Sequence, residues 1–347
     1  MYAYPPISII TISHNEERNI RDCLNSLISI DYPDNLYEII VVDSSNDKTK
    51  DFVKSYKKVR LFASKQKEFS PKRNLGIKEA KYELIAFIDA DCIVPAGWLK
   101  EMLQKISLPD VAAVTSNAYP PPESPFFGKL IACLGKPAGG AIGFDSYFKK
   151  LERGISVVST ANTLFKKSAL LKVGAFNEDS SFAAGGEDFN VSQKLIGAGY
   201  ILEYQPDAFI YHKTRDLNNF LGWSFRQGVA QNLHYQSDKK LLFLLFGPFS
   251  AIWLLLCIIC IVILPAKVYL PIFGFIVLLC GFLIATKFRS SLNLKKLKML
   301  VDRRKRIRVN LFSIFFLVIP LFYLDKLVIN LGHLHSKYST ALTIKTH

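Results

Sequence analysis

The sequence lacks several features that would assign it to a simple class of protein. Cysteine is scarce, with six among 347 residues, and their scattered positions exclude a disulfide scaffold and indicate a cytoplasmic soluble part. No basic stretch precedes the first apolar segment, residues 7–12, so we expect no signal peptide. Because 50% of the residues are hydrophobic, the chain is not disordered and can bury a sizeable core.

Acidic residues are also few, with 29 Asp and Glu against 44 Lys and Arg, while the mean hydropathy is +0.20. This combination indicates a soluble domain joined to a membrane anchor. Three apolar runs, residues 241–264, 268–286 and 311–332, are candidate transmembrane helices. The third contains Asp325 and Lys326, which we expect either near the membrane interface or facing protein.

The basic excess is concentrated between the second and third apolar runs. Residues 287–308 contain ten Lys and Arg and one Asp, so the positive-inside rule places this loop in the cytoplasm. The N-terminal domain, two spans earlier, is then expected on the same face, and residues 333–347 form a tail. Nucleic-acid binding is the alternative for such a cluster, but its position beside the membrane favours anionic lipids, and we expect no nucleic-acid partner.

Residues 1–212 alternate short β-rich runs with helix-like stretches, which predicts an α/β domain with a mostly parallel sheet. Strands are expected at residues 7–12, 38–42, 59–63 and 84–88. The carboxyl ends of parallel strands meet at one edge of the sheet, and ligands bind there. We therefore expect the functional side chains to follow these strands.

Two carboxylates follow the apolar strand at residues 84–88. In an extended chain Asp89 and Asp91 face the same side, so both can reach one hard cation whose shell is completed by diphosphate oxygens. Acidic residues also close strands at turns without binding metal. Asp43 ends another strand, His14 and Glu16 follow the first, and the cations of residues 70–73 precede a predicted helix, where phosphates are commonly held.

These segments, in this order, resemble family 2 glycosyltransferases of the GT-A fold, over most of residues 5–230. The matching pieces are residues 7–17, Val41-Val42-Asp43 with Asp47 and Thr49, Arg73-Asn74-x-Gly76, Asp89-Ala90-Asp91, Gly174-Ala175-Phe176-Asn177-Glu178 and Gly186-Glu187-Asp188. The resemblance implies a Rossmann-like nucleotide-sugar-binding domain, here followed by α-helical transmembrane segments.

The resemblance also implies a role for individual residues. A nucleotide-sugar site is implied for Ile12, His14, Glu16, Asp43, Arg73 and Asp89, and more weakly for Asn162, which lies where relatives contact the donor sugar or acceptor. Asp91 is implied to ligate Mg²⁺ or Mn²⁺, with Asp89 holding ribose or metal. His212 ends a strand that carries a metal ligand in some relatives, although a hydrogen-bonded structural histidine is the alternative.

Asp188 is implied to be the general base of an inverting displacement at the anomeric carbon, with Glu187 orienting the acceptor or the loop. A carboxylate at a helix start can also simply complement the helix dipole. Residues 213–240 are expected to form an amphipathic helix at the membrane surface, presenting Arg226 to an acceptor phosphate. Processive polysaccharide synthases carry a Gln-x-x-Arg-Trp motif in a comparable place. This chain lacks that motif and has no membrane span before the catalytic domain, which disfavours long-chain synthesis with extrusion.

The sequence therefore predicts a membrane-anchored, metal-dependent inverting glycosyltransferase. The expected donor is a nucleotide sugar, with UDP the commonest implication of the resemblance, and the expected acceptor is a lipid-linked saccharide at the cytoplasmic face of the membrane. Two alternatives stay open: transfer directly to a polyprenyl or dolichyl phosphate, and a non-catalytic membrane component that binds a nucleotide sugar. Membrane lipids are expected partners in each case.

Overall fold

The structure is a computed structural model that describes residues 4–108, 110–133, 153–179, 181–182, 185–234 and a few positions between 321 and 336. The predicted spans at residues 241–264 and 268–286, the basic loop 287–308, and most of the span 311–332 and of the tail 333–347 lie outside the described residues. Within the described part, no helix has both the length and the apolar character needed to cross a membrane.

The chain divides into two compact units, Met1–Phe220 and Leu221–His347. A seven-stranded sheet forms the centre of the first unit, in the order β3-β2-β1-β4-β8-β6-β9. Its strands are β1 (Ile7–Ser13), β2 (Tyr37–Asp43), β3 (Val59–Ala63), β4 (Leu84–Ile88), β6 (Val111–Thr115), β8 (Asn162–Lys166) and β9 (Ile201–Tyr204). A second, three-stranded sheet has the order β5-β10-β7, with β5 (Cys92–Ile93), β7 (Ala118–Tyr119) and β10 (Ile210–His212).

The centre of the large sheet is parallel, as predicted. Strand β1 pairs in parallel with β2 and β4, and all seven of its residues are buried because apolar clusters cover both faces of the sheet. The register sets Ser13 opposite Asp43, so the ends of β1 and β2 meet. Strand β8 is antiparallel to both β4 and β6, an exception that the sequence analysis did not predict.

Helices pack on both sides of this sheet. The described helices are α1 (Ile20–Ile28), α2 (Thr49–Lys54), α3 (Phe69–Glu79), α4 (Trp98–Ile106), α5 (Phe126–Cys133), α6 (Lys167–Lys172), α7 (Glu187–Gly197) and α8 (Leu217–His234), with a 3₁₀ turn at Asp34–Leu36. Helix α3 packs tightly on β1, because a Cβ added to Gly76 would lie 2.6 Å from Ile10 Cγ2.

The start of α3 corrects one expectation from the sequence. The helix begins at Phe69, so Lys72 and Arg73 lie inside it and are buried, whereas the sequence predicted that they precede it. Helix α7 begins after Gly185 and Gly186, whose φ angles of 114° and 100° lie in a region that favours glycine. This turn brings Glu187 and Asp188 to the first turn of α7.

The described part of the second unit contains a buried polar contact. Ser224 Oγ on α8 donates a hydrogen bond of 2.7 Å to Asp325 Oδ1, and both side chains are fully buried. Of the two placements considered for Asp325, the structure therefore shows the one that faces protein.

Candidate active site

The joined ends of β1 and β2 hold a buried carboxylate. Asp43 has no exposed surface, and its oxygens accept hydrogen bonds from Ser13 Oγ at 2.6 Å and from the Ser45 N–H at 2.9 Å. Lys50 Nζ lies 3.9 Å from Asp43 Oδ2. These contacts hold the carboxylate in place at the sheet edge where the sequence predicts the nucleotide pocket.

Lys72, one of the cations for which the sequence predicts a place beside bound phosphate, lies against the same strand ends. Its ammonium donates to the Ser13 carbonyl at 3.1 Å and to Ser44 Oγ at 3.3 Å, although the residue is only 1% exposed. Among the described residues, no carboxylate oxygen lies within 4.0 Å of this ammonium. Burial and the neighbouring Arg73 guanidinium lower the pKa of Lys72 to about 8.

The loop after β1 carries the other residues predicted for the nucleotide pocket. Ile12 is buried near the end of the strand, and the His14 ring lies over the end of β2, with Nδ1 3.0 Å from the Ser44 carbonyl. Glu16 accepts a hydrogen bond from Asn19 Nδ2 at 2.7 Å. Burial, and then the negative charge of Asp91, raise the pKa of Glu16 to about 7.

Asp91 and His212 form a candidate cation site between the loop after β4 and the end of β10. Asp91 Oδ1 lies 3.5 Å from His212 Nε2, while His212 Nδ1 is 2.9 Å from the Lys213 carbonyl. Since a carbonyl only accepts, Nδ1 is the donor in this contact, which leaves Nε2, on the side of Asp91, as the ring nitrogen that can bind a cation. One oxygen and one imidazole nitrogen suit a divalent cation such as Mn²⁺.

Cys92 also approaches this pair, since ligand atoms of Asp91, Cys92 and His212 all lie within 4.8 Å of one another. Burial raises the pKa of the Cys92 thiol well above its usual value, which disfavours the thiolate form that binds metals. Burial is the main cause of the raised pKa of Glu16, and the charge of Asp91 is the second, a charge that a bound cation would oppose. The residues present therefore fit a divalent cation.

Asp89 does not join the ligand atoms around Asp91, which corrects the expectation that both carboxylates reach one cation, while its predicted contact with the ribose stays a prediction. The chain is not extended at this point, because the Cys92 N–H donates to the Asp89 carbonyl at 3.0 Å and closes a turn. Asp89 Oδ1 lies 3.9 Å from Arg73 Nη2 instead of joining the group of ligand atoms around Asp91. Burial raises the pKa of Asp89, and the Arg73 guanidinium opposes this shift.

Arg73 links this turn to helix α7. Its Nη1 lies 2.8 Å from Glu187 Oε1, and both side chains are less than 10% exposed. The rings of Phe69 and Phe176 each lie 5.5 Å from the guanidinium carbon. The structure therefore places Arg73 between Asp89 and Glu187, while its predicted contact with the nucleotide stays a prediction.

Asp188, the next residue, has a different environment. The side chain is half-buried, and Thr160 binds both carboxylate oxygens, Oδ1 through its hydroxyl at 2.7 Å and Oδ2 through its N–H at 3.2 Å. Burial, and then the charge of Glu187, raise the pKa of Asp188 to about 7, while Arg73 and Thr160 oppose the rise. A carboxylate with this pKa can accept a proton near neutral pH.

Asn162 and Arg226 are the remaining residues with a predicted role in binding the donor or the acceptor. The Asn162 amide is buried, accepts from Trp98 Nε1 at 2.8 Å and donates to the carbonyls of Ala208 and Asn117 at 2.9 and 3.2 Å. Its role in sugar binding stays a prediction that these structural bonds argue against. Arg226 is exposed on α8, in the second unit, and its acceptor role also stays a prediction.

Comparison with known proteins gives the class of this domain. Residues 8–174 match the family described as Glycosyl transferase family 2. The fold is similar to that of a mannosyltransferase, PcManGT from Pyrobaculum calidifontis, solved in complex with GDP-Man and Mn²⁺, with a TM-score of 0.51 and 20% sequence identity over 67% of this chain and 64% of that one. Residues 8–174 thus match the family 2 glycosyltransferases, the domain has the GT-A fold, and the chain is a glycosyltransferase.

Two curated relatives are similar over a longer stretch. The chain is 28% identical over 263 residues to Glycosyltransferase AglE of Haloferax volcanii, covering 72% of this chain and 80% of AglE. It is 31% identical over 234 residues to the poly-beta-1,6-N-acetyl-D-glucosamine synthase of Staphylococcus epidermidis, covering 66% of this chain and 54% of the synthase. The chain therefore matches only about half of the length of that synthase.

Proposed function

We propose that this protein transfers a sugar, with inversion, from a nucleotide-diphosphate sugar to a lipid-linked saccharide at the cytoplasmic face of a membrane. The observation that carries the proposal is the convergence of three groups in one domain: the polar ends of β1 and β2, the Asp91–His212 pair and the half-buried Asp188. Each group suits one part of the reaction, namely nucleoside binding, diphosphate departure and proton removal.

Nucleoside binding is assigned to the ends of β1 and β2. Asp43 offers carboxylate oxygens that can accept from the N–H of a base such as uracil or guanine, and the buried Lys72 holds the strand ends in place through Ser13 and Ser44. We infer a UDP-sugar from the family resemblance. A protein of the same fold was solved with GDP-Man, so a test of the donor must include both nucleotides.

Proton removal is assigned to Asp188. As the acceptor oxygen attacks the anomeric carbon, its proton moves to the Asp188 carboxylate, and the bond from that carbon to the diphosphate oxygen breaks. A divalent cation, held by Asp91 and His212 when bound, offsets the charge on the leaving diphosphate. Glu187 is paired with Arg73 and is assigned to positioning, so it does not take this proton.

The acceptor and the location are inferred from the apolar runs of the sequence and from its basic loop. Tethering the site to a bilayer raises the effective concentration of membrane-bound acceptors. The test is release of nucleoside diphosphate by the detergent-solubilised protein, with Mg²⁺ or Mn²⁺, from UDP-, GDP- and dTDP-sugars, with and without a membrane lipid extract.

Release that requires both the metal and the lipid, and that is lost in Asp188→Asn, is the expected result. Asp51→Asn, which changes an exposed carboxylate on α2, is the matched control and should keep full activity. Metal-dependent release that Asp188→Asn retains would exclude Asp188 as the base. The number of sugars on the purified lipid separates a single transfer from polymer synthesis.

A further inference from the structure

The segment that leads into β8 is attached to the first turn of α7. Thr160 contacts both oxygens of the Asp188 carboxylate, one through its hydroxyl and one through its N–H. Two residues earlier, the Val158 N–H donates to Ser192 Oγ at 3.1 Å, and the same hydroxyl donates to the Asp188 carbonyl at 2.6 Å. The segment thus holds the Asp188 side chain directly, and it is linked to the Asp188 carbonyl through Ser192.

The segment is itself fixed on the large sheet. Thr160 is 1% exposed and lies two residues before β8, which is paired on both sides. The Thr163 hydroxyl lies close to the Ser159 carbonyl and 2.9 Å from Thr115 Oγ1 on β6. Thr160 therefore connects Asp188 to a rigid element rather than to a mobile loop.

We propose that Thr160 is a positioning residue for Asp188, one that sets the plane of the carboxylate and favours its ionised form. The proposal rests on the role proposed above for Asp188 as the general base. A carboxylate oxygen can accept two hydrogen bonds, so the two bonds from Thr160 leave acceptor capacity on each oxygen for the proton of the acceptor hydroxyl. Without them, the side chain could rotate about its own bonds.

The charges around Asp188 define what the Thr160 hydroxyl contributes. Glu187 on the same helix and burial disfavour the ionised form, whereas Arg73 on α3 and the two bonds from Thr160 favour it. A hydrogen bond to a charged group is strong enough to move a titration by about one pH unit. The hydroxyl should therefore control the pH range in which Asp188 can accept a proton.

The test is the pH profile of nucleoside diphosphate release in Thr160→Val, which removes the hydroxyl and keeps the shape of the side chain and the backbone N–H. We expect the acidic limb of kcat to move about one pH unit higher, so kcat falls about fivefold at pH 7 and recovers towards pH 9. KM for the donor should not change. Thr160→Ser, which keeps the hydroxyl, should restore the original limb.

Thr163→Val is the matched control. It removes a buried threonine hydroxyl three residues away, in the same network, without touching Asp188. We expect it to lower stability and to leave the acidic limb in place. An unshifted limb in Thr160→Val, or an equal shift in Thr163→Val, overturns the proposal. If Asp188→Asn retains activity, the role of Asp188 fails first, so the two failures are distinguishable.

A second measurement does not depend on turnover. The difference in free energy of unfolding between wild type and Asp188→Asn, followed against pH, reports the pKa of Asp188 in the folded state. Because this pKa is raised, Asp188 contributes favourably to the free energy of unfolding while its carboxyl is protonated. That contribution is complete below the ordinary pKa range of Asp and is lost as pH rises to about 7. In the Thr160→Val background the loss should extend to about pH 8. If the contribution is lost at the same pH in the Thr160→Val background as in the wild type, the proposal is overturned.

Discussion

Replacing Arg73 by methionine should destabilise the first unit strongly. Arg73 is buried between Glu187 and Asp89, so the substitution leaves Glu187 buried without its cation. Removing one partner of a buried ion pair typically costs about 3–5 kcal/mol, because the remaining charge is desolvated and unpaired. The alkyl chain of methionine fills part of the space between Phe69 and Phe176, so the loss should be mainly electrostatic.

The assay is urea unfolding followed by the fluorescence of Trp98, which is buried in the same unit. In Arg73→Met the free energy of unfolding should fall by about 3–5 kcal/mol, which lowers the urea concentration at the midpoint. Glu187→Gln should cost less, since Arg73 still faces Asp89. The double variant should be more stable than the sum of the two losses predicts, with a coupling energy of about 1–3 kcal/mol.

Arg60→Met is the matched control for this experiment. Arg60 also pairs with a carboxylate, Glu38, at 2.6 Å, but its side chain is 35% exposed. The control should therefore lose about 1 kcal/mol or less. If Arg73→Met and Arg60→Met destabilise the protein equally, or if the coupling between Arg73 and Glu187 is zero, the reasoning from the buried bridge is wrong.

Three further predictions concern the reaction. Asp91→Asn and His212→Ala should each weaken Mn²⁺ binding, measured by calorimetry, by at least about tenfold; unchanged binding would place the cation elsewhere. Below pH 7, kcat should fall about tenfold per pH unit as Asp188 is protonated, and a flat profile would exclude it as the base. Lys72→Met should raise the Kd of the donor nucleotide about tenfold in equilibrium dialysis, since the ammonium that bonds both Ser13 and Ser44 is lost; an unchanged Kd would exclude a role of Lys72 in holding the strand ends.

The sheet could be predicted because its central strands carry a strong local signal. Strands β1, β2 and β4 are continuous β-branched and apolar runs, and the structure has them within about one residue of the expected bounds. Strand β8 has no such signal, since Asn162–Lys166 is short and contains polar residues at both ends. Its antiparallel pairing depends on β4 and β6, which lie far from it in the sequence.

Side-chain partners are harder to predict than strand ends. Asp43, Asp89 and Asp91 can be found because they follow apolar strands, but the turn that separates Asp89 from Asp91 depends on one backbone hydrogen bond. The sequence places Lys72 in a cation cluster before a helix, and only the packing of α3 on β1 shows that it is buried. Thr160 lies 28 residues from Asp188, and its sequence carries no sign of that contact.

The adjacent carboxylates of Glu187 and Asp188 show how the fold gives two similar groups different roles. Successive residues on a helix point about 100° apart, so one side chain reaches Arg73 on α3 while the other reaches Thr160 before β8. The Glu187 carboxylate is bound by the Arg73 guanidinium at 2.8 Å, which suits it to positioning. A carboxylate bound by neutral donors, with its pKa raised to about 7, can take a proton at neutral pH. The division of labour therefore follows from the partners, and the combined substitutions Glu187→Asp and Asp188→Glu would not preserve it, because neither side chain would then have the length that its partner requires.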